Sequence, residues 1–191
     1  MITLLEQIQK YHQKFPTEIA PATCLAFAKS QSQCFDRHCF KDGHFTASAW
    51  VVNPSRKLCL LTHHRKISKW LQLGGHVENS RDLLAEAQRE VKEESGLDSS
   101  PLSLDIFDID IHQVPANRDE PAHLHYDLRF LLSADEKHPL QRTSESHELR
   151  WIHTDDIETF TQEESVLRMV KKHLEYSFGS SRTKMDSTDN P

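Results

Sequence analysis

A chain of 191 residues with a formal charge of −6, 37% hydrophobic and 27% charged residues has the composition of one soluble folded domain with an extension. The negative charge argues against general or stable nucleic-acid binding, which needs a basic stripe. No apolar run is long enough to span a bilayer, so no membrane partner is expected.

The opening stretch MITLLEQIQKYHQKF lacks the basic region and apolar core of a secretory signal, and Cys24, Cys34, Cys39 and Cys59 form no CxxC pair. Reduced thiols and a cytoplasmic location are the expectation. Leu4, Leu5, Ile8, Tyr11 and Phe15 follow helical spacing up to Pro16, and a second helix is expected over residues 20–35. HFTASAWVV and KLCLLTHH flank the turn signal NPSR, which predicts a hairpin. KWLQL then leads, extended, into Gly74–Gly75.

A helix follows from about Ser80 to Ser95, with Asn79 or Ser80 as its N-cap and Gly96 suited to the left-handed residue past its end. Leu83, Leu84, Ala87 and Val91 make its apolar side. LSLDIFDIDIH and HLHYDLRFLL alternate as strands around the proline-bounded loop VPANRDEPA, the second placing Leu124, Tyr126, Leu128 and Phe130 on one face. ELRWIHT is expected as a last strand, residues 155–176 as a last amphipathic helix, and the polar residues 179–191 as a disordered tail. Strands mixed with a few helices predict an α+β architecture, an α/β/α sandwich. The expected division is a helical extension over 1–40, a main domain over 41–178 and the tail.

The 80–95 helix places Glu90, Glu93 and Glu94 on one edge, with Glu86 one turn back. Like charges at this spacing repel, and carboxylates at a helix C-terminus cost roughly 0.3–1 kcal/mol each against the dipole. Lys92 points elsewhere and Arg89 precedes Glu93 in the less favourable order, so full local compensation is not expected. A solvated charged face is the plain reading. A divalent cation reverses the sign of the energy, and hard oxygen ligands suit Mg²⁺ or Mn²⁺.

Gly75, Arg89–Glu90, Val91, Glu93–Glu94 and Gly96–Leu97 stand at spacings that resemble the Nudix box. That box reads Gly, five residues, Glu, seven residues, Arg-Glu, an aliphatic residue, any residue, Glu-Glu, any residue, Gly and an aliphatic residue. KWLQLGGH and ELRWIHTDDI extend the resemblance over about residues 43–176. It implies a mixed β-sheet between helices and hydrolysis of a nucleoside diphosphate linked to another group, with Mg²⁺ or Mn²⁺ as cofactor. Glu90 and Glu94 are then the main metal ligands, with Glu93 as a further ligand. Gly74 and Gly75 bring the backbone close to the phosphates, and Arg89 either contacts phosphate or orients the loop and a Glu. The box departs from the family at Arg81, where its first Glu belongs. Glu78, Asp82 and Glu86 are the nearest acids and the candidates to stand in electrostatically. The implied partner is a small nucleotide or diphosphate, and a homo-oligomer is compatible with the sequence.

In this family a general base often comes from outside the box. Glu148, with Glu145 as the other candidate, lies in RTSESHELRW, and Glu93, Glu94 and Glu148 complete the expected catalytic set. On HLHYDLRF, His123, His125, Asp127 and Arg129 share one strand face, and Asp108, Asp110 and His112 alternate on the preceding strand. A wet outer face, a substrate-facing wall and a second transition-metal site are three readings of this pattern. The functional expectation is the wall, with His123, His125 and Arg129 binding substrate. His63, His64 and His76 lie near the entry to the box, and Trp70 and Tyr126 are aromatic candidates for base stacking. Two rivals remain: a non-catalytic module of the same fold, favoured by Arg81, and an isomerase of isoprenyl diphosphates, permitted by the 13 histidines.

Overall fold

A capping box starts the first helix: the Thr3 hydroxyl accepts from the Glu6 N–H, and the Glu6 carboxylate accepts from the Thr3 N–H. In the computed structural model, which describes residues 3–78 and 80–182 with backbone alone over 177–182, this helix is α1, Leu4–Lys14. Helix α2 spans Ala20–Ser30 and stops short of the expected residue 35, because Gln31 already has extended backbone. Ile8, Tyr11, Cys24 and Phe27 of these helices are buried in the same core as the sheet, and the Phe27 ring stacks on Tyr126 at 3.7 Å. The helical extension is thus packed into the main core.

The predicted hairpin forms from β1 (His44–Val52) and β2 (Leu58–His64), but the two strands pair only at Val51↔Leu60 and Val52↔Cys59. Beyond that point they part. β1 takes β4 (Leu73–His76) antiparallel and β7 (His123–Ala134) parallel, while β2 takes β3 (Lys69–Leu71) and β8 (Ser146–His153), both antiparallel. β5 (Ser99–Pro101) and β6 (Asp108–Val114) pair antiparallel with β7. Only the second half of LSLDIFDIDIH is therefore a ladder strand.

The pleat divides this mixed sheet into two faces. Phe45, Ala47, Ala49 and Val51 of β1, with Tyr126, Leu128, Phe130 and Leu132 of β7, form a core with α1, α2 and helix α3, Leu83–Ser95. Trp50, Val52, Leu61, Leu131 and Ile152 form the core on the other face, under α4 (Ile157–Phe160) and α5 (Glu164–Arg182). The result is the expected α+β sandwich with helices on both sides of a mixed sheet. Thr161 has extended backbone and breaks the last expected helix into α4 and α5. α5 runs into the expected tail, and residues 183–191 lie outside the described residues. Among the described residues no helix is long and apolar enough to cross a membrane. The four cysteines are free thiols, three of them buried.

Candidate active site

Helix α3 starts later than its sequence pattern suggests. Asp82 is its N-cap, accepting from the Ala85 N–H at 3.1 Å, and Ser80 supports the turn before it; Asn79 lies outside the described residues. Gly96 ends it with φ +75°, a left-handed value that L side chains avoid. Leu83, Ala87 and Val91 press into the first core, which turns the Glu90–Glu94 edge toward the end of β4.

There the glycine pair meets the carboxylates. The Gly74 N–H donates to Glu94 Oε1 at 2.8 Å. A Cβ at Gly75 would lie 2.8 Å from Glu90 Oε1, so no larger residue fits without displacing that carboxylate. Arg89 donates from Nε to Glu86 at 3.0 Å, from Nη1 to Glu93 at 2.7 Å, and from Nη2 to Glu90 at 2.7 Å and to the His76 carbonyl at 2.9 Å. One guanidinium thus ties three acids to the glycine loop, a compensation that the spacing alone did not reveal. It is committed inside the box, in the orienting role rather than in the phosphate contact that was the other reading.

Glu94 differs from its neighbours. It is partly buried, and among the described residues no cation pairs with it. Burial pushes its carboxyl up to about 8, the Gly74 N–H pulling the other way and Glu90, Glu145 and Glu93 adding to the rise. Burial also raises Glu90, against the pull of Arg89. Glu93 is exposed and rests on Arg89.

Arg81 points away from this cluster, its guanidinium 5.5 Å from the Phe35 ring centroid. Two of the three acids weighed as stand-ins are already engaged. Asp82 caps α3, Glu86 accepts from Arg89 and the Glu78 N–H, and the Glu78 side chain is exposed.

The base candidates separate by parity. Glu148 pairs with His63, whose ring stacks on Trp70, and it is ion-paired with Arg150, which lies over Trp70 and Phe160. Trp70 and Phe160 belong to the second core, so Glu148 faces away from α3 and its expected catalytic placement is corrected. Glu145, in the loop before β8, acts electrostatically on both Glu90 and Glu94.

The polar strand faces also need correction. β6 and β7 do pair, with Asp108↔Arg129, Asp110↔Asp127 and His112↔His125, but this face lies opposite α3, under α5. Arg129 is 2% exposed and binds Asp127, Asp108 and Asp110, so its guanidinium is closed to a substrate. Arg168 and Lys172 of α5 reach the same Asp108, and Lys172 also contacts Tyr11 and Glu18. Tyr126, a candidate for base stacking, is buried against Phe27. His123 and His125 join His44 and His76, with donor atoms all within 4.8 Å of one another, and no box carboxylate takes part. Burial, then the neighbouring charges and imidazoles, hold His44 and His76 at about 4 and His125 at about 2. His44, on the first residue of β1, carried no sequence signal of its own. Cavities of about 480 and 510 Å³ open elsewhere, and no box residue lines either.

The sequence model of the NUDIX domain matches residues 43–172. Solved structures of similar fold include the Ap4A hydrolase of C. elegans in a binary complex (17% identity, 71% of this chain and 98% of that one covered, TM-score 0.57). A NUDIX family hydrolase from Clostridium perfringens is 21% identical over 68% of this chain and 95% of its own, with a TM-score of 0.53. The E. coli dihydroneopterin triphosphate pyrophosphohydrolase is 15% identical over 67% and 92%, with a TM-score of 0.50. At these identities the likeness is one of fold. No curated protein matches the chain in sequence.

Proposed function

This chain belongs to the NUDIX family and is a hydrolase of pyrophosphate bonds, and we propose that it cleaves a small nucleotide or nucleoside diphosphate derivative with Mg²⁺ or Mn²⁺ held by Glu90 and Glu94. The observation that carries the metal assignment is charge balance. Arg89 neutralises part of the cluster, while Glu94, partly buried beside Glu90, has no cation paired with it among the described residues. A desolvated carboxylate pair with this deficit takes up a proton or a cation. Carboxylate oxygens in this number suit a hard divalent ion that keeps open positions for water and phosphate. Glu93, held on Arg89, serves as an outer ligand through water.

When bound, the ion supplies positive charge to the phosphate oxygens and polarises the attacking water. The chain's own residues supply the remainder. Glu145, whose charge already acts on both ligands, accepts the proton of that water. Gly74 fixes Glu94 through its N–H, and Gly75 leaves room for Glu90. Arg89 holds helix and loop in one geometry, because it grips the His76 carbonyl and three box acids together.

A nucleotide panel assayed with either metal tests this reading. The wild type turns over at least one phosphoanhydride, and Glu94→Gln loses at least about 100-fold, above the range for residues that only support a ligand. Ligand-induced stabilisation without turnover would instead select a binding module. Undiminished turnover by Glu94→Gln would remove the metal assignment.

A further inference from the structure

Three neighbouring strands aim imidazoles at one point, away from the carboxylate box. His44 opens β1, His76 closes β4, and His123 and His125 stand two apart on β7. The register explains the convergence: His44 pairs with His125 and Thr46 with His76, so all four side chains leave the sheet on the same face. Ring centroids of His44 lie 5.1 Å from His76, 5.0 Å from His123 and 4.8 Å from His125.

We propose that His44, His76, His123 and His125 form a second metal site, closed and four-coordinate, for Zn²⁺ or a neighbouring late first-row divalent ion. The donor atoms lie within 4.8 Å of one another. Bonds of about 2.0–2.1 Å in a tetrahedron put ligand nitrogens about 3.3 Å apart, so modest ring rotations close the shell. One edge already has that length, His123 Nε2 to His125 Nε2 at 3.1 Å. His123 Nδ1 lies 2.8 Å from the Pro121 carbonyl, the outer contact that leaves Nε2 as the ligand atom.

His44 is the strongest single indication. Its ring is fully buried, and neither nitrogen makes a hydrogen bond of good geometry, a weak backbone hydrogen-bond contact with Cys39 being the exception. Buried imidazole nitrogens rarely stay unpaired, and a metal satisfies one of them here. Neutral imidazoles select late transition ions over Mg²⁺, which separates this site chemically from the box. The Arg37–Glu120 pair lies beside the cluster, and its two charges act on His76 in opposite senses, Arg37 the more strongly. The site is structural in type, because four protein ligands leave no open position. It pins the ends of β1, β4 and β7, and through the His76 carbonyl it steadies Arg89.

The test uses the full chain, stripped with chelator and titrated with Zn²⁺ or Co²⁺. One equivalent binds to the wild type and to Glu94→Gln alike, raises the melting temperature of both, and falls at least about 10-fold in affinity in His44→Gln and His125→Gln. Co²⁺ in the wild type gives an intense tetrahedral visible spectrum without a thiolate charge-transfer band, a readout that stands even if a variant fails to fold. Absence of stoichiometric binding, a weak octahedral Co²⁺ spectrum, or affinity unchanged in folded histidine variants would overturn the site. None of these readouts depends on hydrolysis.

Discussion

Two acidic clusters sit on opposite faces of this sheet, and they differ in how their charge is balanced. Under α5, Asp108, Asp110, Asp127 and Glu18 meet Arg129, Arg168 and Lys172. Burial alone would raise Asp108 and Asp110, yet the surrounding guanidinium and ammonium groups, with His112 at Asp110, hold both below the usual carboxylate range. Along α3, Glu86, Glu90 and Glu93 share Arg89, Glu94 has no paired cation among the described residues, and burial drives Glu90 and Glu94 upward. A cluster that supplies its own counter-charges is a structural device, whereas one left short of them is built for something absent from the chain.

The sharpest way to break this contrast is Arg129→Met. Removing one partner from the closed network leaves buried carboxylates uncompensated and costs about 3–5 kcal/mol in denaturant unfolding. Binding of Mg²⁺ at the box persists wherever the variant is folded. Second in size is the proposed general base: Glu145→Gln lowers the hydrolysis rate by roughly 10²–10⁴-fold, the range for positioned proton transfer. Glu148→Gln leaves the rate near wild type, and the reverse ranking would return the base to β8.

The two clusters also oppose each other in pH. Asp108 and Asp110 are depressed in the folded state, so their contribution to stability is complete above the ordinary carboxylate range and is lost as pH falls below it. Glu94 is raised from 4.5 to about 8, so its contribution is complete below 4.5 and is lost as pH rises through 8. Metal-free thermal unfolding across that window should decline in the wild type and flatten in Glu94→Gln. The smallest effect belongs to Arg81→Glu, which restores the missing box acid at an exposed position beside Phe35. Stability shifts by about 0.5 kcal/mol or less, and the rate changes least of all the variants.

The outcome for individual residues tracks how local their determinants are. The helix carrying Glu90 and Glu94, its stop at Gly96 and the hairpin around NPSR follow from spacings within a few residues, and all three are present. The placement of Glu148 failed on strand parity, since one step along β8 exchanges the two cores and the ladder carries an irregularity at His63/His64. The compensation by Arg89 was obscured for another reason: pair rules for exposed helices ignore the docked β4 loop, whose His76 carbonyl fixes the guanidinium.

By itself, the sequence determined most of the elements and the clustering of the box carboxylates on one helix edge, because turns, caps and i to i+4 neighbours depend on covalent distance along the chain. Only the tertiary structure decided that β1 runs parallel to β7 and that Arg129 is sealed beneath α5. It also decided that His44 and His76 meet His123 and His125. Those outcomes depend on strand order, register and sheet face, which arise from long-range packing between segments tens of residues apart.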